Sequence, residues 1–283
     1  MAHVDLGSSQ AKQGIDNVRH SEWLEWLTRI GFACKGVVYF LIGALALISA
    51  LGNGGETTDV RGVLGRIATQ TLGEFALAVI AAGLFAYALW RFCSAIYDTE
   101  DEGSDKKGLA KRAGYAISGA IYSGFAIVAL KIVMGEGGGA SSGSSNAQTW
   151  SAELMQAPGG TLLLMAIGAG VIVAGSMQIR HGLKEDFMKK MRTRRMSHTE
   201  RDWCSKAGKA GYTARGIVFG LTGVFFIYAG VQHNAQQVRG MEGALDTIAR
   251  QPFGPWLLGL VAVGLAAYGV YSLFAARYRT VHN

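Results

Sequence analysis

Six stretches of the chain carry no Asp, Glu, Lys or Arg: residues 36–55, 75–90, 113–130, 154–179, 216–238 and 251–276. A helix needs roughly 20 apolar residues to cross the hydrocarbon core of a bilayer, and flanking Lys or Arg can extend to the interface, so even the shortest stretch suffices. The stretches are apolar on all sides instead of alternating, which predicts helices and not barrel strands. The expected fold is an all-α integral membrane protein with six transmembrane helices. Composition agrees, with half of the residues hydrophobic, 17% charged, and 40 Gly against 3 Pro. Gly is costly inside a water-exposed helix, whereas between membrane helices small residues let backbones approach closely.

The connections predict an orientation. Of 27 Lys and Arg, 22 fall in the N-terminal part up to Lys35, the 91–112 and 180–215 connections and the C-terminal tail; the other side has Arg61, Arg66, Lys131, Arg239 and Arg250. Positively charged loops are retained in the cytoplasm, so both termini and both basic connections are expected inside. Residues 1–28 are polar and lack the apolar middle of a signal peptide, so the first span is expected to persist.

Self-comparison reveals a repeat. Arg29-Ile30-Gly31-Phe32-Ala33-Cys34-Lys35-Gly36-Val37-Val38-Tyr39 opens the first span, Arg112-Ala113-Gly114-Tyr115-Ala116-Ile117-Ser118-Gly119-Ala120-Ile121-Tyr122 the third, and Lys209-Ala210-Gly211-Tyr212-Thr213-Ala214-Arg215-Gly216-Ile217-Val218-Phe219 the fifth. The even spans keep Gly pairs ten apart, Gly73 and Gly83, Gly160 and Gly170, Gly254 and Gly264, with Tyr87 and Tyr268 following in two copies. Each unit crosses twice, so successive copies enter in the same direction. This predicts three tandem hairpins about a pseudo-threefold axis along the membrane normal. The chain divides into a polar flank (1–28), hairpins at 29–98, 112–184 and 209–279, and cytoplasmic linkers at 99–111 and 185–208. Gly36, Gly83, Gly119, Gly170, Gly216, Gly220 and Gly264 are expected to pack helices, Gly216 and Gly220 as a GxxxG pair.

The thrice-repeated opening, the two-span unit and the length together resemble the domain of unknown function 1206 family of bacterial membrane proteins. The resemblance covers about residues 26–279 and implies a bacterial cytoplasmic (inner) membrane location. It brings no established reaction.

Chemistry is sparse. No acidic residue lies in the middle of a span, and none of the six His is central to one, so neither a carboxylate relay nor a bis-His haem is expected. HExxH and GxxxxGK[ST] are absent. The one GxSxG, Gly139-Ala140-Ser141-Ser142-Gly143, lies in a Gly- and Ser-rich stretch from Gly135 to Ser145 that reads as an outer loop, not a nucleophile elbow. Cys34, Cys93 and Cys204 read as free thiols. No cofactor or metal is expected, and the chain is not expected to be an enzyme. An enzyme acting on lipid would need Arg29, Arg91, Arg112, Arg180 and His181 to converge.

Lys35 and Arg215 occupy equivalent places near the cytoplasmic ends of their spans. They could hold an anionic headgroup or solute, or they could snorkel and fix helix depth. The basic run with Lys189, Lys190, Arg192, Arg194 and Arg195 sits beside the membrane, where anionic lipid headgroups are a more natural partner than nucleic acid. It also serves as the topology determinant. Residues 60–67, 150–155 and 241–248 read as short amphipathic helices at the outer surface, either capping the bundle or simply re-entering it. The expected role is a non-enzymatic structural or interaction component, partnered by lipids or another membrane complex; the competing expectation is a channel or transporter for a small or anionic solute.

Overall fold

The computed structural model describes residues 22–52, 57–135 and 143–280, with the side chains of 147 onward described in the last of these. Most of the polar flank and of the Gly- and Ser-rich stretch, including most of the GxSxG match, lies outside the described residues.

Nine α-helices are present among the described residues. Six are long and apolar enough to cross a membrane: α1 (Glu22–Ala50), α3 (Gly73–Tyr97), α4 (Lys106–Val133), α6 (Gly160–Leu183), α7 (His198–Val231) and α9 (Gly254–Tyr278). Three short helices precede the even spans: α2 (Val60–Ala68), α5 (Gly143–Gln156) and α8 (Met241–Ala249). Several helices begin earlier than the uncharged stretches do, because local caps extend them. Asp105 accepts from the Gly108 amide at 2.9 Å and starts α4 within the first linker. Ser197 and Glu200 form a reciprocal capping box, so the second half of the basic linker is already α7.

The short helices join the even spans by one turn used three times. Leu72, Gly159 and Phe253 adopt left-handed backbone at φ 64°, 76° and 62°. The next residue is Gly73, Gly160 or Gly254, where a Cβ would collide with the carbonyl oxygen of Ile67, Leu154 or Ala249. This accounts for the first glycine of each ten-residue pair. In α2 and α8, Val63, Leu64, Ala244 and Leu245 are buried, so these helices lie over one end of the bundle with their apolar faces down. α5 starts at Gly143, taking in Ser144 and Ser145 that sequence assigned to the loop.

The spans form a ring by neighbour contacts: α1 with α3, α3 with α4, α6 with α7, α7 with α9, and α9 back to α1. Successive repeats meet along stripes of small residues seven apart. Gly36 and Gly43 of α1 face Gly269 and Ala262 of α9, and a Cβ on Gly36 would lie 2.9 Å from the Gly269 oxygen. Gly216 and Gly223 of α7 face Gly175 and Gly168 of α6 at 2.6 Å to each carbonyl oxygen, and Gly119 of α4 faces the Phe92 ring at 3.0 Å. A seven-residue period holds a stripe on one face of helices crossing at a shallow left-handed angle.

Two expected packing glycines do not follow this period. Gly220, four residues after Gly216, has open space where a Cβ would stand, although its amide nitrogen lies beside Gly175; the next close carbonyl contact along α7 is made at Gly223. Gly170 also meets nothing within 4 Å, whereas its counterparts Gly83 and Gly264 press on Cys34 and Ala214. The reason is a break in the ring: no packed interface joins α4 to α6, the two spans of the second repeat.

Candidate functional site

The ring encloses a cluster of cations and aromatic rings. Lys35 lies 15 residues before the end of α1, about 22 Å of helix from that end at about 1.5 Å per residue. Against a hydrocarbon core about 30 Å thick, that places its α-carbon well inside the apolar zone, nearer the basic face. The side chain is 2% exposed and does not reach outward to water. Its Nζ donates to the Tyr87 hydroxyl at 3.1 Å and sits 4.8–5.5 Å from the ring centres of Phe32, Tyr87, Tyr122 and Tyr268. Four rings supply a partial cation–π shell.

Arg91 and Arg215 complete the cluster. Arg91 donates through Nη2 and Nε to the same Tyr87 hydroxyl at 2.8 and 3.0 Å and lies 4.3 Å from the Trp90 ring centre. Arg215 donates through Nη1 to the Tyr268 hydroxyl at 2.9 Å and covers Tyr39 and Phe219. Its Nε is buried without a hydrogen-bond partner. The partners of these three cations among the described residues are tyrosine hydroxyls and rings. The charges acting most strongly on Lys35 are all cationic: Arg215, Arg91 and Arg279. Burying a charge is expensive unless an opposite charge accompanies it, and here the protein supplies none in direct contact.

The repeat explains how the cluster is built. Lys35, Ser118 and Arg215 hold one position of the motif, and Tyr39, Tyr122 and Phe219 another four residues later, one turn along the same face. Tyr87 and Tyr268 stand four residues after Gly83 and Gly264, and each accepts from the cation of its own repeat. In the second repeat the corresponding residues are Ser118 and Ala174, so it brings neither a cation nor a ring at these two positions and contributes Tyr122 to the shell.

Below the cluster, the charges on the basic face pair closely. Arg279 donates through Nη2 to both Glu100 carboxylate oxygens at 2.9 Å, and Lys190 bridges Glu100 and Glu102. Burial alone would raise the Glu100 carboxyl, but Arg279, Lys190 and Arg91 outweigh it and hold it down at about 2. Glu102 is lowered for the same reason, through Lys111, Tyr115 and Lys190. Burial opposes the charged form of Arg279, yet Glu100 keeps its guanidinium raised above the usual value. This network ties the end of α3 to the basic linker and the C-terminal tail.

The linker is therefore docked. Phe187 inserts against Tyr212 and Tyr271, Met191 is buried, and backbone bonds run from Arg192 N to Tyr278 O at 2.7 Å and from Thr280 N to Lys190 O at 2.9 Å. Of the basic run proposed to meet lipid, Lys189 pairs with Asp186 at 2.6 Å, Lys190 with the glutamates, and Arg192 with Glu25 at 3.0 Å. Arg194 and Arg195 are exposed. Arg29 pairs with Glu25, Arg112 donates to the last carbonyls of α3 at 2.8 and 2.9 Å, and His181 packs edge-on against Tyr212. Arg29, Arg112 and His181 are thus each engaged with a different partner. The three cysteines are free and buried. Among the described residues no group of His, Cys, Asp and Glu is arranged to hold a metal ion.

Arg279 and Glu100 were not foreseen as site residues, and Arg91 was considered only as part of a lipid-directed enzyme cluster. Their signal was available in part: Arg91 follows Tyr87 by four residues, the spacing that puts two side chains on one helix face.

With this geometry in view, the comparisons with known proteins are decisive for family. A family profile, Domain of Unknown Function (DUF1206), matches three times in tandem, over residues 30–98, 113–185 and 210–279. The chain belongs to this family. A relative from Bacillus subtilis (strain 168), the "Uncharacterized protein YxxB", is 35% identical over 99% of this chain and 98% of its own length. No solved structure matches. The three-repeat organisation of a multi-pass membrane protein thus rests on family membership as well as on the fold.

Proposed function

We propose that this DUF1206 protein is a non-enzymatic interaction component of the bacterial cytoplasmic membrane that holds an anionic group, in the first place a lipid phosphate, in its central cation cluster. The observation carrying this reading is Lys35, buried at membrane depth, together with the partly buried Arg91 and Arg215 beside it, all three held by tyrosines with no carboxylate in contact among the described residues. A bound anion would supply the missing charge, and Arg215 Nε, buried without a partner, provides a ready donor. Such sites mark function when they occur inside a bilayer. The excess of Lys and Arg on the face of the linkers supports cytoplasmic termini.

An ion or solute conduit along the axis is less well supported. On the far side of the cluster Ile42, Leu64, Leu77, Leu245 and Leu258 are all essentially buried in one apolar core.

Thermal unfolding of the purified protein in neutral detergent, with inorganic phosphate or phosphatidylglycerol added, tests the reading. Stabilisation by either anion that Arg215→Gln and Lys35→Gln abolish supports it; no stabilisation of the wild type by either refutes it. Phosphate flux into protein-loaded liposomes, blocked by the same variants, would instead favour transport.

A further inference from the structure

The second repeat departs from the other two at one seam, and the seam adjoins the cation cluster. In repeats one and three the odd and even spans press together: Gly31 lies against Tyr87, where a Cβ would sit 2.7 Å from the Tyr87 α-carbon, and Gly211 lies against Tyr268 at 2.5 Å. In the second repeat, the equivalent Gly114 and Gly170 face nothing within 4 Å. Ile121 is 52% exposed, whereas the matching Val38 and Val218 are 1% and 0% exposed. Ile117 and Met177 are likewise exposed where their counterparts in both other repeats are buried.

We infer that the seam between α4 and α6 is a lateral portal for one anionic phospholipid, whose phosphate meets the Arg215 side of the cation cluster and whose acyl chain lies between Ile117, Ile121 and Met177. This rests on the anion-binding reading and names the source of the anion. The walls contain no Asp, Glu, Lys or Arg across 113–130 and 154–179, so a hydrocarbon chain meets nothing that needs water. Ala174 and Ser118 put small side chains where the other two repeats carry a tyrosine and a cation. Tyr122, on the α4 wall, also belongs to the ring shell around Lys35, with its ring centre 5.5 Å from Nζ, so the seam and the cluster are contiguous. Gln178, at the place of Arg91 in the first repeat, has its amide oxygen buried without a partner, which a hydroxylated headgroup such as glycerol would satisfy. A second copy of the chain would bring another uncharged span and leave the cations uncompensated; an anionic lipid answers the exposed walls and the charge together.

The full-length protein in nanodiscs of mixed phosphatidylglycerol and phosphatidylcholine, analysed by native mass spectrometry, provides the test. Wild type should retain phosphatidylglycerol over phosphatidylcholine by about tenfold, a difference of about 1.4 kcal/mol. The double variant Ile117→Trp with Gly170→Leu, which fills the seam, should lose that retention while inorganic phosphate still stabilises it against heat. Unchanged retention in the filled variant overturns the portal but leaves the anion site standing. If wild type binds neither lipid nor phosphate, the underlying reading fails. A dimer that the double variant dissociates would assign the seam to a second copy and overturn the lipid. Independently of the filled variant's folding, a fluorophore at Ile117→Cys should be quenched more strongly by brominated phosphatidylglycerol than by brominated phosphatidylcholine. Equal quenching would make the seam ordinary lipid boundary and refute the proposal.

Discussion

Substituting one motif glycine by alanine in two repeats should give opposite results. At Gly211 the new methyl would lie 2.5 Å from the Tyr268 α-carbon, which belongs to the backbone and cannot rotate away. Ordinary contact begins near 3.4 Å, so α7 and α9 must separate by about 1 Å, and a gap of that size forfeits roughly a quarter to a half of the dispersion between facing atoms. Overpacking of this kind costs about 1–3 kcal/mol, and no hydrophobic gain offsets it between helices already in lipid. At Gly114 the same methyl meets nothing within 4 Å, so the change should stay within about 0.5 kcal/mol of wild type. Reversible unfolding in mixed detergent and sodium dodecyl sulfate micelles measures both, with Gly31→Ala expected to behave like Gly211→Ala. If Gly114→Ala costs as much as Gly211→Ala, the seam is closed in the membrane and the argument from the broken ring fails.

Other consequences can be checked in the same micelles. Glu100 is held at about 2 against an ordinary 4.5, so its contribution is complete above about pH 4.5 and declines as pH falls towards 2; it amounts to about 3 kcal/mol at roughly 1.4 kcal/mol per unit. A Glu100→Gln variant should lose a similar amount at neutral pH and show a flatter profile below pH 4.5; a profile matching wild type would contradict the pairing with Arg279 and Lys190. Gly254→Ala drives a methyl into the Ala249 carbonyl at a turn already left-handed at Phe253, and expression of folded protein should fall severely, whereas Gly170→Ala should be tolerated. Phe187→Ala removes a ring stacked 5.4 Å from Tyr212 and should cost about 3–5 kcal/mol, exposing the 192–195 segment to trypsin in inverted vesicles. Resistance equal to wild type would mean the linker is not held by that ring.

Crossing helices were legible because their signal is local and long: roughly 20 residues without a charge leave few alternatives. The threefold repeat was legible because each opening restates the same glycine and aromatic spacing. What the sequence concealed was pairing over distance. Lys190 and Arg192 read as a free basic run, yet their carboxylates, Glu100, Glu102 and Glu25, lie tens of residues away, and only the folded linker brings them together. Gly220 was chosen for its spacing to Gly216; the crossing also uses Gly223, which sequence spacing did not single out. Gly170 fits its repeat by alignment and differs by surroundings, because Ala174 replaces the tyrosine that draws the two spans together in the other copies. Lys35 and Arg215 share one motif position in the sequence; that Tyr87 and Tyr268 accept from them follows only from the approach of each even span.

An experimental density map of the protein in phosphatidylglycerol nanodiscs would examine the cation cluster itself. Tetrahedral density within about 3 Å of Arg215, shared with Lys35 or Arg91, is the result expected here. A map in which these three side chains contact only tyrosines and one another, with no foreign group beside them, would contradict the proposed role.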